Sequence, residues 1–114
     1  MNYLGIDYGD AKVGIALATG PLAEPLTTVK TEKALQSIKQ LITKHKIDAV
    51  VMGDCQEVFL NELSNLVVVY CADETLSSHD ARQSLLHTTQ KKRRLNEHAV
   101  AAAVILQNWL DSQN

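Results

Sequence analysis

The 114-residue sequence predicts an α/β fold in which helices flank a mixed five-stranded sheet. Three short apolar stretches follow one another closely at the start of the chain, and this spacing favours an antiparallel meander of three strands. Two later apolar runs alternate with segments of helical periodicity, which favours parallel strands joined by helical crossovers. We therefore expect five strands and four helices in the order β-β-β-α-β-α-β-α-α.

The strands are predicted from apolar runs and from the residues that end them. The opening run ends on a carboxylate, turns at Gly9 and returns as a second strand, and the third strand begins after Pro25. The last two runs are continuously apolar, as expected for parallel strands that are buried on both faces. The predicted strands cover residues 2–7, 12–18, 26–30, 49–53 and 66–72.

The helices are predicted from 3.6-residue periodicity and from capping residues. The first has apolar residues at i, i+3 and i+4 spacing with lysines on the other side, so it should pack on the sheet. Ser77 and Asp80 form a capping pattern for the third. The predicted helices cover residues 31–46, 56–63, 78–87 and 96–111. Residues 88–94 are expected to form a mobile polar connection.

Length and composition limit the classes of function. The chain, residues 1–114, is expected to form a single domain, because it is too short for a catalytic domain and a separate cofactor domain. No stretch approaches the roughly 20 apolar residues that a membrane span needs. Cys55 and Cys71 are isolated in sequence, which favours buried, reduced thiols in a cytoplasmic protein.

Acidic residues follow two of the predicted strands. Asp7 ends the first strand, and Asp73 and Glu74 follow the last one. Carboxylates are the ligands that hard cations such as Mg²⁺ select, and cations held in this way can neutralise charge and activate water at a phosphodiester. Side-chain alternation allows only one of the second pair to face the same side as Asp7, and we select Glu74. Each acid could instead bond to its own turn.

His98 is the third candidate. It falls in the first turn of the last predicted helix, on the side expected to pack inward. A neutral imidazole there could bind a metal ion or relay a proton, or it could be a core residue without a role in chemistry. Glu97 is about 100° away around the helix. The residues that share the predicted face with His98 are Ala101, Ala102, Ile105 and Trp109.

The candidate phosphate-binding residues are basic and clustered. The net charge of −2 provides no overall attraction to nucleic acid, so any phosphate binding would have to be local. Four of the eleven lysines and arginines are consecutive, namely Lys91, Lys92, Arg93 and Arg94. Lys12, in the opening turn, could join them in contacting phosphates. The alternative is an ordinary solvated surface.

Three motifs, in order along nearly the whole chain, resemble the YqgF-type family, also called RuvX. They are the opening GIDYGDAKVGIA, the segment DETLSS from Asp73, and the closing KKRRLNEHAVAAAVILQNWLD. This family is described as Holliday-junction resolvases and as nucleases that mature the 5′ end of precursor 16S ribosomal RNA. It belongs to the ribonuclease-H-like superfamily.

The resemblance implies a ribonuclease-H-like fold and a function. That function is a metal-dependent endonuclease that uses Mg²⁺ or Mn²⁺ to cleave structured nucleic acid, either precursor 16S ribosomal RNA or a Holliday junction. The resemblance places Asp7 and Glu74 on the first two catalytic acids of the family. The third catalytic acid, an Asp in the family, falls on His98.

The departures from the family pattern leave alternatives open. His98 replaces the third acid, Thr75 replaces a usual Arg, and residues 54–65 are abbreviated where the family has a longer loop and helix. A non-catalytic relative that binds nucleic acid without a complete metal site is therefore the main alternative. A nucleotide-binding turn of the actin and sugar-kinase type would need a second domain. The sequence does not distinguish an RNA substrate from a DNA substrate, or a monomer from a homodimer.

Overall fold

The computed structural model describes residues 1–53, 56–72 and 90–113, with side chains of the last helix from residue 97 onward. Within these ranges the chain forms a five-stranded sheet and helices on both of its faces. The elements are β1 (Tyr3–Asp7), β2 (Lys12–Ala18), β3 (Glu24–Lys30), α1 (Thr31–Lys44), β4 (Ala49–Met52), α2 (Glu57–Ser64), β5 (Val68–Cys71) and α3 (Gln90–Ser112). The helix predicted over 78–87 lies outside the described residues.

The sheet has the strand order β3-β2-β1-β4-β5. β1, β2 and β3 form an antiparallel meander, whereas β4 pairs with β1 and β5 pairs with β4 in parallel. The predicted mixed five-stranded sheet is confirmed. Because β1, β4 and β5 are parallel, their carboxyl ends meet at one edge of the sheet. We call this edge the upper edge.

The two edge strands differ from the sequence prediction. β3 begins at Glu24 rather than residue 26, and it includes Pro25 next to a register shift opposite Ile15 and Ala16. An edge strand tolerates a residue that lacks an N–H group. β5 was expected to be buried, yet Val68 is 55% and Tyr70 43% exposed. The apolar run did not reveal that β5 lies at the edge of the sheet, where one flank has no neighbouring strand.

One face of the sheet packs against α1 and α2. The side chains buried there include Leu4 and Ile6 of β1, Val13 and Ile15 of β2, and Ile38 of α1. α1 ends at Lys44, two residues before the predicted end, because Lys46 adopts a positive φ of 53°. The Ile47 N–H then donates to the carbonyl of Ile42 at 3.0 Å, which closes the helix end.

The other face of the sheet is covered by α3. This helix begins at Gln90, six residues earlier than predicted, so residues 90–94 are helical rather than a mobile connection. Its buried face also differs from the predicted one. The buried residues are Ala99, Ala102, Ala103, Ile105 and Leu106, whereas His98, Ala101 and Trp109 are only partly buried.

Small residues explain why α3 settles in this orientation. A Cβ atom added to Gly5 would lie 2.7 Å from Leu106 Cβ and 2.8 Å from the carbonyl oxygen of Ala102. A Cβ atom added to Gly14 would overlap the backbone carbonyl of His98. Both glycines therefore allow the helix backbone to lie directly on the sheet, which periodicity within α3 alone could not indicate.

Cys71 is exposed at the end of β5 and is disulfide-bonded. The expectation of a buried, reduced thiol is therefore wrong for this residue, and Cys55 lies outside the described residues. Burial was predicted because Cys71 falls in the continuously apolar run 66–72, which forms an edge strand rather than an interior one. Among the helices described, none is both long enough and apolar enough to cross a membrane.

Candidate active site

Asp7 is the last residue of β1 and lies at the upper edge. It pairs with Gly14 of the neighbouring antiparallel strand. Leu4 and Ile6 point into the core beneath α1, so side-chain alternation places Asp7 on the opposite face, beneath α3. Its side chain is 23% exposed. The carboxylate is thus held by a buried strand and remains accessible from the edge.

His98 is brought to Asp7 by the packing of α3 on β2. Gly14 lies directly under the His98 backbone and is also the cross-strand partner of Asp7. The His98 Nδ1 atom lies 3.9 Å from Asp7 Oδ2, and the imidazole is 44% exposed. This separation is too long for a hydrogen bond but short enough for an ion pair when the imidazole is protonated. The structure therefore brings these two predicted residues together.

The turn after Asp7 is fixed by Thr31, a residue that sequence reasoning did not single out. The Thr31 hydroxyl donates to the Gly9 carbonyl at 2.7 Å, and its backbone N–H donates to the Ala11 carbonyl at 3.1 Å. Thr31 is the first residue of α1, so the start of this helix is tied to the β1–β2 turn. A threonine 24 positions after Asp7 carries no local signal for this contact.

Gly14 is the second residue that the sequence prediction overlooked. A glycine inside a strand often marks a close backbone approach, and GIALA places Gly14, Ala16 and Ala18 on one face of β2. That run of small side chains was the available signal. It predicts a helix lying against β2, and α3 does lie there.

The second acid candidate, Glu74, lies outside the described residues. The last described backbone contact on this side is the Ala72 N–H, which donates to the Met52 carbonyl at 2.9 Å. Since β5 is parallel to β1 and β4, the chain leaves β5 at the same upper edge that carries Asp7.

The basic candidates lie at the same edge. Lys12 is exposed at the start of β2. The run 91–94 occupies the first turns of α3, and Arg94 precedes His98 by one turn, about 6 Å along the helix axis. Glu97 is exposed on the same helix. The side chains of residues 91–94 lie outside the described part of the chain.

The described residues could supply part of a binding site for a divalent cation. The described residues contain no cluster of three or more His, Cys, Asp or Glu side chains. They supply one carboxylate, Asp7, and one imidazole, His98, facing each other. The carboxylate suits both Mg²⁺ and Mn²⁺, whereas an imidazole nitrogen suits a transition metal better than Mg²⁺. The pair would need further ligands to complete a coordination shell.

The sheet order, the covering helices and the acid at the upper edge define an α/β domain of the ribonuclease-H-like class. Solved structures support this fold. "T. thermophilus RuvC in complex with Holliday junction substrate" superposes with a TM-score of 0.62 and 16% identity, covering 99% of this chain and 95% of that one. "Thermus thermophilus RuvC structure" gives a TM-score of 0.55 and 15% identity, covering 99% of this chain and 96% of that one.

The family model "RuvX: Holliday junction resolvase" matches residues 1–112, so this chain belongs to that family. A relative from Anaeromyxobacter sp. (strain Fw109-5) is 35% identical over 136 residues, covering 100% of this chain and 99% of the relative. One from Rickettsia canadensis (strain McKiel) is 33% identical over 132 residues, covering 96% of this chain and 85% of the relative. Both are named "Putative pre-16S rRNA nuclease".

These comparisons confirm the resemblance drawn from the three motifs, and they make the chain a member of a nuclease family. The alignment with the Anaeromyxobacter relative spans 136 positions, whereas this chain has 114 residues. That relative therefore contains residues that this chain lacks.

Proposed function

We propose that this chain, as a single domain over residues 1–114, is a divalent-metal-dependent endonuclease that hydrolyses phosphodiester bonds in structured nucleic acid. We propose precursor 16S ribosomal RNA as its substrate, by extension from the names of its relatives. A four-way DNA junction is the second candidate substrate, because the family model carries that description.

One observation carries this proposal. The Asp7 carboxylate and the His98 imidazole face each other 3.9 Å apart at the upper edge of a ribonuclease-H-like sheet, and both are accessible to solvent. The residues come from positions 91 apart in sequence and are brought together by the backbone contact at Gly14. An acid and an imidazole held in this way can bind a cation and transfer a proton.

The proposed roles follow from the chemistry of each side chain. Asp7 holds the cation, with Glu74 proposed as the second carboxylate ligand. When bound, the cation supplies positive charge next to the scissile phosphate. His98 completes the ligand set or moves a proton, accepting it from the attacking water or giving it to the leaving oxygen. By analogy with the superfamily, the product carries a 5′ phosphate.

Phosphate binding is proposed for the basic side chains at the same edge. Lys12 is exposed at the start of β2, and residues 91–94 lie in the helix that carries His98. Cations that neutralise phosphates release condensed counterions, so binding should weaken as salt is raised. These residues position the strand and carry no sequence readout.

The experiment compares cleavage of a labelled precursor ribosomal RNA fragment and of a four-way DNA junction in Mg²⁺, Mn²⁺ or EDTA. Asp7→Asn preserves side-chain size and removes the charge, so we expect it to abolish cleavage. His98→Ala should lower the cleavage rate by about 100-fold if the imidazole transfers a proton. The substrate that is cleaved faster indicates whether the protein acts as a ribosomal RNA nuclease or as a junction resolvase.

Two exposed acids provide matched controls. Asp10 lies in the same turn as Asp7, and Glu97 precedes His98 on the same helix. Asp10→Asn and Glu97→Gln should therefore cleave at close to the wild-type rate. A rate that falls with Glu97→Gln instead of His98→Ala would transfer the role of the third ligand to Glu97. Cleavage that persists in EDTA would contradict metal dependence.

The alternative is a non-catalytic relative that binds nucleic acid. The observation that favours it is the identity of residue 98, since an imidazole occupies the position of the third family acid. Under this alternative, the wild-type protein binds both substrates in a salt-dependent way and cleaves neither with any metal. Restoring an acid with His98→Asp would then be the decisive variant.

We further propose that the protein acts in the cytoplasm. The disulfide of Cys71 is unusual for this location, because cytosolic proteins rarely keep disulfides. A junction resolvase would need two active sites and hence a symmetric homodimer, whereas a ribosomal RNA nuclease could act as a monomer. The mass of the active particle, measured as monomer or dimer, therefore also helps to distinguish the two candidate substrates.

A further inference from the structure

Two lysines face each other across the neighbouring strands β2 and β3. Lys12, the first residue of β2, pairs directly with Lys30, the last residue of β3. Their strand neighbours Val13 and Val29 contribute to the core beneath α1, so alternation places both lysines on the opposite face, which is the face of Asp7. Both lysines are exposed.

This pairing is unfavourable by the local rules of sheet structure. Like charges placed directly opposite each other in an antiparallel pair destabilise the sheet. The ion pair found among the described side chains joins Asp7 and His98 and involves neither lysine. Glu32, two residues after Lys30, forms no ion pair with it. The two positive charges are therefore not neutralised by a described carboxylate.

Lys30 breaks a second local rule. It is the N-cap residue of α1, and its side chain makes no capping hydrogen bond. Ser, Thr, Asp or Asn normally occupy this position, because their side chains accept from the free N–H groups of the first turn. A cation there also faces the positive end of the helix dipole. Positions where several local rules fail together are expected at functional sites.

The location of the pair indicates its ligand. From Asp7, the pair lies one to two strands across and two residues further out along the sheet, which places Lys30 about 12 Å away. With an axial rise of about 3.4 Å per nucleotide, that distance places the pair a few nucleotides from Asp7 along a bound strand. The helix that carries the basic run 91–94 covers the same face of the sheet, where its backbone lies on Gly5 of β1 and Gly14 of β2.

We propose that Lys12 and Lys30 together form a phosphate-binding site for the substrate strand a few nucleotides from the scissile bond. This inference rests on the proposed nuclease function and adds Lys30 and a direction to it. The substrate strand runs from Asp7 and His98 to the corner of β2 and β3. Substrates must then extend past the cleavage site on this side to bind fully.

The test measures the salt dependence of binding to a labelled single-stranded precursor ribosomal RNA fragment. All proteins carry Asp7→Asn, so that the fragment is not cleaved. Lys12→Gln with Lys30→Gln should reduce the slope of log K against log salt by about 1.4, or 0.7 for each lost phosphate contact. Between 50 and 200 mM salt, the variant should therefore lose about sevenfold less affinity than the parent protein.

The matched control is Lys44→Gln. Lys44 is also exposed but lies at the far end of α1, about 20 Å along the axis from Lys30. Its removal should leave the slope unchanged. Lys30→Arg keeps the charge and should retain the parent slope. The double variant should melt no lower than the parent, because it removes a like-charge pair, so weaker binding cannot be attributed to unfolding.

A shortened substrate locates the contact. RNAs truncated on one side or the other of the cleavage site are compared, and one of the two truncations should weaken binding as much as the double variant. Combining that truncation with the double variant should cause no further loss. If the Asp7→Asn parent binds the RNA and the wild-type protein cleaves it, a slope for the double variant equal to that of Lys44→Gln overturns this inference alone. Absence of both binding and cleavage by the wild-type protein overturns this inference and the nuclease function together.

Discussion

At the scale of single residues, Gly14 determines where the candidate catalytic groups meet. It is the cross-strand partner of Asp7 and the contact point for the His98 backbone. A side chain at this position cannot be accommodated by a rotamer change, because the atoms that it would overlap belong to the backbone of α3. The separation of Asp7 and His98 therefore depends on a residue that has no functional group.

We expect Gly14→Ala to lower the free energy of unfolding by about 1–3 kcal/mol, the usual cost of overpacking a core. It should also reduce cleavage measured below the unfolding temperature, because α3 must shift away from Asp7. Gly20→Ala is the control, since a Cβ atom added to Gly20 would have no neighbouring atom within 4 Å. Urea unfolding of both variants checks the prediction, and equal stability of the two would contradict the packing argument.

The identity of residue 98 should determine which metal supports activity. Mg²⁺ prefers oxygen ligands, whereas Mn²⁺ also accepts an imidazole nitrogen. We expect the wild-type protein to cleave faster in Mn²⁺ than in Mg²⁺, and His98→Asp to raise the Mg²⁺-supported rate relative to the Mn²⁺-supported rate. Initial rates in each metal measure this ratio. An unchanged ratio would mean that residue 98 does not touch the metal.

At the scale of elements, the charge at the start of α3 opposes the helix dipole. The first turn of this helix contains no acidic residue and includes the beginning of the basic run. Cations are favourable at a helix C-terminus and unfavourable at its N-terminus. The arrangement costs stability, and binding of a polyanion would offset that cost.

Reversing these charges should therefore have opposite effects on stability and binding. We expect Lys91→Glu and Lys92→Glu each to raise the free energy of unfolding by about 0.3–1 kcal/mol and to weaken nucleic-acid binding. Lys44→Glu is the mirror control, because Lys44 lies in the last turn of α1 where a cation is favourable. It should lower stability and leave binding unchanged. Denaturation and filter binding on the same samples test both effects.

The sequence predicted the helices and strands better than it predicted which elements lie next to one another in the fold. β4 was expected to be buried on both faces, and all four of its residues are. β5 has the same apolar character but is exposed, because strand order, which a single apolar run does not encode, places it at the edge. The start of α3 was missed because the basic run is typical of a loop. Asp7 was found from its strand end, whereas Thr31 acts through a contact distant in sequence.

At the scale of the whole molecule, the location of the charged residues matters more than the net charge. The net charge is −2, yet exposed Lys12 and Lys30 and the basic run all lie near the edge that carries Asp7. An acidic protein gains no long-range attraction to nucleic acid from its total charge. Recognition must then depend on short-range phosphate contacts at this edge, and it should be strongly sensitive to salt.

Metal binding should be visible in the stability of the whole fold. A ligand that binds only the native state at ten times its dissociation constant stabilises that state by about 1.4 kcal/mol. We expect Mn²⁺ to raise the melting temperature of the wild-type protein by several degrees, and EDTA to reverse the shift. Asp7→Asn should remove the shift and Asp10→Asn should keep it. A shift that persists in Asp7→Asn would place the metal elsewhere, whereas a wild-type shift without any cleavage would identify a metal-binding protein that has lost catalysis.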